Sequence, residues 1–130
     1  MKYLLSLLLL LLPLTTFASV QGASTYSNAS LTATLVVASA SPVALCNYNV
    51  SNTNTGTIYV QFFDAATTVG ITLGVTAPKF WIAVPSGNGV TDGPYTPPVA
   101  FQNGIVIAVT TTPTGSTAPS SSVPVTLTTN

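Results

Sequence analysis

Apolar and polar residues alternate along this chain in short runs, and the two densest runs lie between Thr57 and Pro85. The first is TIYVQFFD (57–64) and the second is KFWIAVP (79–85). In both runs β-branched and aromatic residues fill alternating positions, as in a strand with one buried face. Most of the large side chains are concentrated here, which predicts that the two runs are the central strands of a small all-β domain.

The same alternation predicts further strands on either side of this pair. They occupy 30–38, 43–50, 71–76, 105–111 and 123–127. The segment from Tyr95 to Phe101 contains Pro97 and Pro98, which restricts it to a sheet edge. Turn-forming Asn, Gly and Pro residues separate the runs, and no helical periodicity follows residue 22. The chain is therefore expected to form a single antiparallel β-sandwich of seven to eight short strands, immunoglobulin-like or jelly-roll-like.

Alternation also assigns the two faces of the densest runs. In the first run the aliphatic face that begins at Ile58 is assigned to the core, because Gln61 lies on the opposite face. Tyr59 and Phe63 share that opposite face and should be partly uncovered. In the second run the face of Phe80 is assigned to the core, which places Trp81 on the outside.

The N-terminus has the three-part layout of a secretory signal peptide, with a nearly pure leucine run from Leu4 to Leu12. Small residues around Ala18 and Gly22 allow cleavage after either one. The apolar run is shorter than the roughly 20 residues that a membrane-spanning helix needs. The sequence therefore predicts a signal helix within residues 1–22, a β-sandwich domain at 23–130, and a secreted, periplasmic or cell-surface protein without a membrane anchor after cleavage.

Charge is almost absent from the predicted mature chain, whose only charged side chains are Lys79, Asp64 and Asp92. Nucleic-acid binding needs several Lys or Arg side chains to neutralise phosphates, so this class of partner is excluded. Low net charge favours association between copies of a protein. A protein partner or self-association is therefore expected.

The residues that usually carry enzyme chemistry are scarce. The chain has no histidine, so neither a Ser-His-Asp nor a Cys-His arrangement can form. Asp64 and Asp92 are predicted to occupy a strand end and a turn, rather than to form a glycosidase pair. One cysteine and no Asp-rich loop offer no zinc or calcium ligand set. The sequence predicts a non-enzymatic protein with no catalytic residue, cofactor or metal.

The single cysteine, Cys46, lies in a run in which it would share one face with Tyr48 and Val50. Two interpretations stay open for its thiol. It packs in the core, where free cysteine is common, or it forms an intermolecular disulfide in an exported protein.

Four large aromatic side chains exceed what one core face accommodates: Tyr59, Phe63, Trp81 and Tyr95. Aromatic residues with few neighbouring charges are typical anchors of protein interfaces, and a planar ring can also stack on a sugar. Three alternatives remain, namely that a loop covers these rings, that they contact another protein or a virion, or that they bind a surface glycan. They are the candidate contact surface.

Four segments together resemble small β-sandwich accessory and structural proteins of tailed bacteriophages and prophages. The segments are YVQFFDA (59–65), LGVTAPKF (73–80), FQNGIVIAVTT (101–111) and TGST (114–117), within a similarity that extends from about Leu45 to Thr128. The resemblance implies a virion accessory or structural protein and brings no catalytic residues with it.

The expected function is therefore that of a non-enzymatic, secreted or surface-displayed β-sandwich that acts by protein contact, as a phage-like virion structural or attachment module. The alternative is a secreted bacterial adhesin, a fimbrial or matrix subunit, or a carbohydrate-binding module. A location in a virion is the alternative to export.

Overall fold

The computed structural model describes residues 22–130, so residues 1–21, with the predicted signal helix, lie outside the described part. Within the described part, nine strands form two antiparallel sheets that pack against each other. The prediction of an all-β, two-sheet antiparallel fold is confirmed. None of the described residues forms a helix long and apolar enough to cross a membrane.

The strand bounds are β1 (Ser24–Leu31), β2 (Val36–Ser39), β3 (Val43–Ser51), β4 (Ile58–Asp64), β5 (Phe80–Val84), β6 (Gly89–Asp92), β7 (Val99–Phe101), β8 (Ile105–Thr110) and β9 (Val123–Thr129). Sheet A has the order β1-β9-β3-β6, with β7 also paired to β3. Sheet B has the order β2-β8-β4-β5. Early strands thus pair with late ones, β1 with β9 and β2 with β8, while β4 and β5 are the one sequential pair within a sheet.

The hydrophobic core lies between the two sheets. The face of β4 that begins at Ile58 points inward, and Val60 and Phe62 on that face are fully buried. Phe62 stacks on Phe80 of the neighbouring strand with ring centroids 4.4 Å apart. The predicted inward faces of the two densest runs are therefore correct.

The central position predicted for the second dense run is wrong. β5 pairs with β4 on one side, and it is the last strand of sheet B in the described residues. The place beside β4 on its other side is taken by β8, from Ile105 to Thr110, in which every residue is buried. Composition alone could not order the strands, because β5 and β8 are similarly apolar.

The predicted strand at 30–38 is also wrong, because the chain changes sheets within it. β1 ends at Leu31 in sheet A and β2 begins at Val36 in sheet B. Most of β1 is polar and exposed, and its strand conformation comes from pairing with β9. Pairing of this kind leaves little trace in a hydrophobic pattern.

Two smaller differences from the predicted strands have the same cause. Residues 71–76 alternate like a strand but form turns, in which the amides of Ile71 and Val75 donate to the carbonyls of Thr68 and Thr72. Conversely, β6 lies outside every predicted strand and forms through pairing with β3. A segment forms a strand only where it can pair with another strand, and hydrophobic alternation alone does not show this.

The predicted inward orientation of Cys46 is altered by an irregularity in β3. The register of β3 against β9 shifts between Leu45 and Asn47, which leaves Cys46 as the extra residue of a bulge. Leu45 is therefore fully buried, as are Tyr48 and Val50, whereas Cys46 is partly exposed. Its thiol donates a weak hydrogen bond to the carbonyl of Ala44 at 3.7 Å.

Candidate functional site

The four aromatic residues of the candidate contact surface do not lie together. Tyr59 on β4 and Trp81 on β5 are in contact, with ring centroids 5.5 Å apart and ring planes at 75°. Trp81 is 45% exposed, while Tyr59 is half-buried. Ala83 lies directly opposite Tyr59 in the β4–β5 ladder and is exposed. We call Tyr59, Trp81 and Ala83 the Trp81 patch.

The outward face of β4 is covered beyond this patch. Gln61 is fully buried and Phe63 is only 3% exposed, so the expectation that Phe63 is partly uncovered is wrong. The Gln61 amide donates to Thr110 Oγ1 at 2.7 Å and to the carbonyl of Gly115 at 2.9 Å. The segment that contains Gly115 therefore folds over Gln61.

The connection between β4 and β5 lies beside that covering segment. A Cβ atom added at Gly74 would lie 3.4 Å from Ser116 Oγ, so the two loops pass within van der Waals distance. On the outer face of sheet B, Trp81 and Ala83 are exposed on β5, at the edge of the sheet.

Tyr95 belongs to a separate cluster in sheet A. Its hydroxyl donates to Asp92 Oδ2 at 3.1 Å, and the hydroxyl of Tyr48 donates to the same oxygen at 3.4 Å. The backbone amide of Gly93 donates to the other carboxylate oxygen at 2.9 Å. Burial raises the pKa of both phenols above their usual value, so they stay protonated and donate hydrogen bonds. These hydrogen bonds stabilise the turn after β6.

The second carboxylate is paired with the only described cation. Lys79 Nζ lies 2.9 Å from Asp64 Oδ2 and donates to the carbonyl of Ala100 at 2.6 Å. The amides of Gln102 and Asn103 also donate to the Asp64 carboxylate, at 3.1 and 2.8 Å. This pair ties the end of β4 to the loop before β8.

These donors set the ionisation of Asp64. Partial burial by itself would raise the pKa of this carboxyl group, but the hydrogen bond from Lys79 and those from the two backbone amides lower it to about 2. Asp64 in sheet B and Asp92 in sheet A thus have different partners, and both have structural roles. Among residues 22–130, no three His, Cys, Asp or Glu side chains are grouped so as to hold a metal ion.

Two asparagines in the connection between β3 and β4, Asn52 and Asn54, are buried. Asn52 Nδ2 donates to the carbonyls of Gly56 and Val84, both at 2.9 Å, and Asn52 Oδ1 accepts from the amide of Asn54. Asn54 in turn bonds to the amide and the carbonyl of Ser121. The side chains thus join three separate connections at one end of the sandwich. Asn, Gly and Thr are common in turns, so composition gave no signal of this role.

A shallow cavity of about 330 Å³ lies at the same end of the molecule. Its lining is uncharged and is formed by Asn54, Thr55, Gly56, Thr57, Ile58, Thr111, Ala118, Pro119 and Ser120. The volume lies at the lower end of the range for small-molecule sites. However, the amide groups of Asn54 are already engaged within the protein, so few polar groups remain to orient a ligand.

Comparison of this chain with protein-family models, with curated proteins and with solved structures finds no match.

Proposed function

We propose that this chain is a non-enzymatic, exported β-sandwich that acts by protein contact, as a phage-like virion structural or attachment module. The observation that carries the proposal is the Trp81 patch. It is a rigid, uncharged surface on which a half-exposed tryptophan is held against a tyrosine. Aromatic side chains of this kind, presented on strands, are common anchors of protein interfaces.

The positions of the charged groups support a contact role. Asp64 is bound to Lys79 and to two backbone amides, and Asp92 accepts hydrogen bonds from two tyrosines. No charged side chain belongs to the Trp81 patch itself. Association through this surface would therefore remove little charge from water, which keeps its desolvation penalty low.

The order of the strands supports the jelly-roll form of the sandwich over the immunoglobulin form. Immunoglobulin sheets have the orders ABED and CFG, whereas the orders here are β1-β9-β3-β6 and β2-β8-β4-β5. Jelly rolls occur in viral capsid proteins and in lectins. This is an analogy between folds, and it agrees with the virion function and with the carbohydrate-binding alternative alike.

Site-specific photocrosslinking tests the proposal. A photoreactive amino acid at position 81 samples the Trp81 patch, and the same amino acid at Thr25, an exposed position on β1, is the matched control. In cells that make the protein, position 81 should crosslink to a virion or cell-surface protein, or to another copy of the chain, in the particle or surface fraction. Equal crosslinking from positions 81 and 25 would contradict the proposal.

The same experiment separates the alternative functions. A secreted adhesin or fimbrial subunit would crosslink mainly to itself in filaments, with no virion protein present. A carbohydrate-binding module would give no protein crosslink at position 81, and soluble glycans would instead protect the Trp81 indole from solvent.

A further inference from the structure

We propose that the free edge of β5 pairs with β5 of a second copy of this chain, in antiparallel orientation. Two copies of sheet B would then form one continuous eight-stranded sheet, since each contributes four strands. The inference rests on the proposed contact function and names the partner of the Trp81 patch.

β5 has the composition of a central strand but lies at an edge of sheet B. Its sequence, FWIAV, contains no charge, no glycine and no proline. Five consecutive residues pair with β4 without a register shift, from Ile58 opposite Val84 to Phe62 opposite Phe80. Such a flat apolar edge is what natural sheets normally avoid, because it invites pairing with another strand.

The other edges in the described residues carry the usual protection. β1 is polar, and its register shifts between Asn28 and Leu31. β2 has four residues and a register shift of its own. β6 contains the charged Asp92 and is followed by a Gly-Pro sequence. β7, also at an edge, has only three residues and follows two prolines. Within its own bounds β5 is thus the longest edge strand of the described residues without a charge, a register shift or a proline, with Lys79 and Pro85 directly beside it.

Two inward side chains of β5 are incompletely buried. Phe80 and Ile82 point into the sandwich but remain half-buried. Their partners across the ladder, Phe62 and Val60, are fully buried. A strand added beyond β5 would cover the exposed flanks of Phe80 and Ile82, and burial of apolar area favours association.

A symmetric pairing of two β5 strands also fits sterically. If the two-fold axis passes through Ile82, then Trp81 lies opposite Ala83 of the second copy, and Phe80 lies opposite Val84 of the second copy. Trp81 and Phe80 therefore each face a smaller side chain, and Ile82 faces Ile82 of the second copy. An isologous contact of this kind closes at two copies.

Electrostatics do not oppose this register. It places Lys79 opposite Pro85 of the second copy, so the two lysines do not face each other. The Lys79 ammonium is also already paired with Asp64 within its own chain. Without like charges at the edge, two copies can approach without electrostatic repulsion.

Sedimentation velocity over a range of concentrations tests the pairing, with the protein purified as cells produce it and its N-terminus determined by mass spectrometry. The wild-type protein should dimerise reversibly. Ala83→Glu and Trp81→Lys should each weaken the dimer at least about tenfold, equivalent to about 1.4 kcal/mol. Ala83 is exposed, so thermal unfolding of Ala83→Glu should stay close to that of the wild type. Trp81→Lys also loses the contact with Tyr59 and should lower the free energy of unfolding by about 1 kcal/mol.

The double variant Trp81→Lys/Ala83→Glu tests the register. The proposed pairing places each introduced lysine opposite an introduced glutamate of the other copy, so the double variant should dimerise more tightly than either single variant. Thr25→Glu on the edge of sheet A is the matched control and should leave the dimer unchanged.

Three results would overturn the inference. The first is a wild-type protein that stays monomeric at about 1 mM, the concentration scale of very weak complexes. The second is that Thr25→Glu weakens the dimer as much as Ala83→Glu does. The third is that the double variant forms a weaker dimer than either single variant. A monomeric protein that still crosslinks through position 81 to another protein would refute the pairing and leave the proposed function intact. A dimer with no virion or surface partner would refute the virion role and leave the pairing intact.

Discussion

The indole of Trp81 lies edge-on to the phenol ring of Tyr59, with ring centroids 5.5 Å apart and ring planes at 75°. The two residues are on adjacent strands and are held by the β4–β5 ladder. An aromatic side chain fixed in this way loses little conformational entropy when it binds. The Trp81 patch is therefore preorganised for contact.

Replacing the Trp81 indole should abolish binding to the partner but lower the stability of the fold only slightly. Trp81→Ala should abolish recovery of the protein in the particle or cell-surface fraction. Its free energy of unfolding should fall by only about 1 kcal/mol, because the indole is half-exposed and an aromatic pair contributes about that much. Fractionation and urea denaturation measure the two effects. Val75→Ala, at a side chain that is 81% exposed, is the control and should change neither.

The buried amide of Asn52 should be far more important for stability than its place in a turn suggests. In Asn52→Asp the introduced carboxylate cannot donate to the carbonyls of Gly56 and Val84. The free energy of unfolding should fall by about 3 kcal/mol, because buried acceptors lose their donor and a charge is buried. Asn49→Asp, at an exposed position, should cost less than about 1 kcal/mol. Similar losses for the two variants in urea titrations would refute the structural role of Asn52.

The free energy of unfolding should decrease in acid, over a pH range set by the pKa of Asp64. The folded-state pKa of this carboxyl group is about 2, below its ordinary value of 3.8. The stabilisation that the ionised Asp64 carboxylate provides is therefore fully present above about pH 4 and is lost as the pH falls towards 2. Because solvent screens the group, its size should be about 1 kcal/mol.

Two variants isolate this contribution. Asp64→Asn should remove the pH dependence in that window, as measured by urea denaturation at a series of pH values. Lys79→Met should keep part of it, because the amides of Gln102 and Asn103 still donate to the carboxylate. An unchanged pH profile in Asp64→Asn would show that another group is responsible.

Gly104 should be intolerant of a side chain. Its φ of 142° is rarely adopted by other residues, and a Cβ would overlap the carbonyl oxygen of Ser39 and lie 2.9 Å from that of Ala65. Gly104→Ala should therefore destabilise the protein by about 3 kcal/mol. Gly56→Ala is the matched control, because nothing lies within 4 Å of its added Cβ. Equal unfolding midpoints for the two variants would contradict this account of the turn before β8.

Several strands could be predicted from hydrophobic alternation because their inward side chains are large. β4, β8 and β9 are examples, and Phe62, Ile107 and Leu127 are fully buried on them. The outward orientation of Trp81 also follows from alternation. β1 could not be predicted, because its polar residues become a strand only through pairing with β9.

Long-range contacts account for the remaining errors. The bulge at Cys46 changes which residues of β3 face inward, and alternation assumes that no residue is skipped. Phe63 is buried although it lies on the outward face of β4, a covering that a single-strand pattern cannot reveal. The edge position of β5 depends on strand order, which composition does not encode.

The most direct test of the contact surface uses the fact that Trp81 is the only tryptophan in the chain. Protein labelled with fluorinated tryptophan gives a fluorine NMR signal from this one residue, and a soluble paramagnetic agent reports its exposure. In the dilute free protein the signal should be broadened by the agent. When the protein is returned to the particle or cell-surface fraction, the signal should shift and become protected. Bound protein whose Trp81 signal stays unshifted and exposed would contradict the proposal that this protein works through the Trp81 patch.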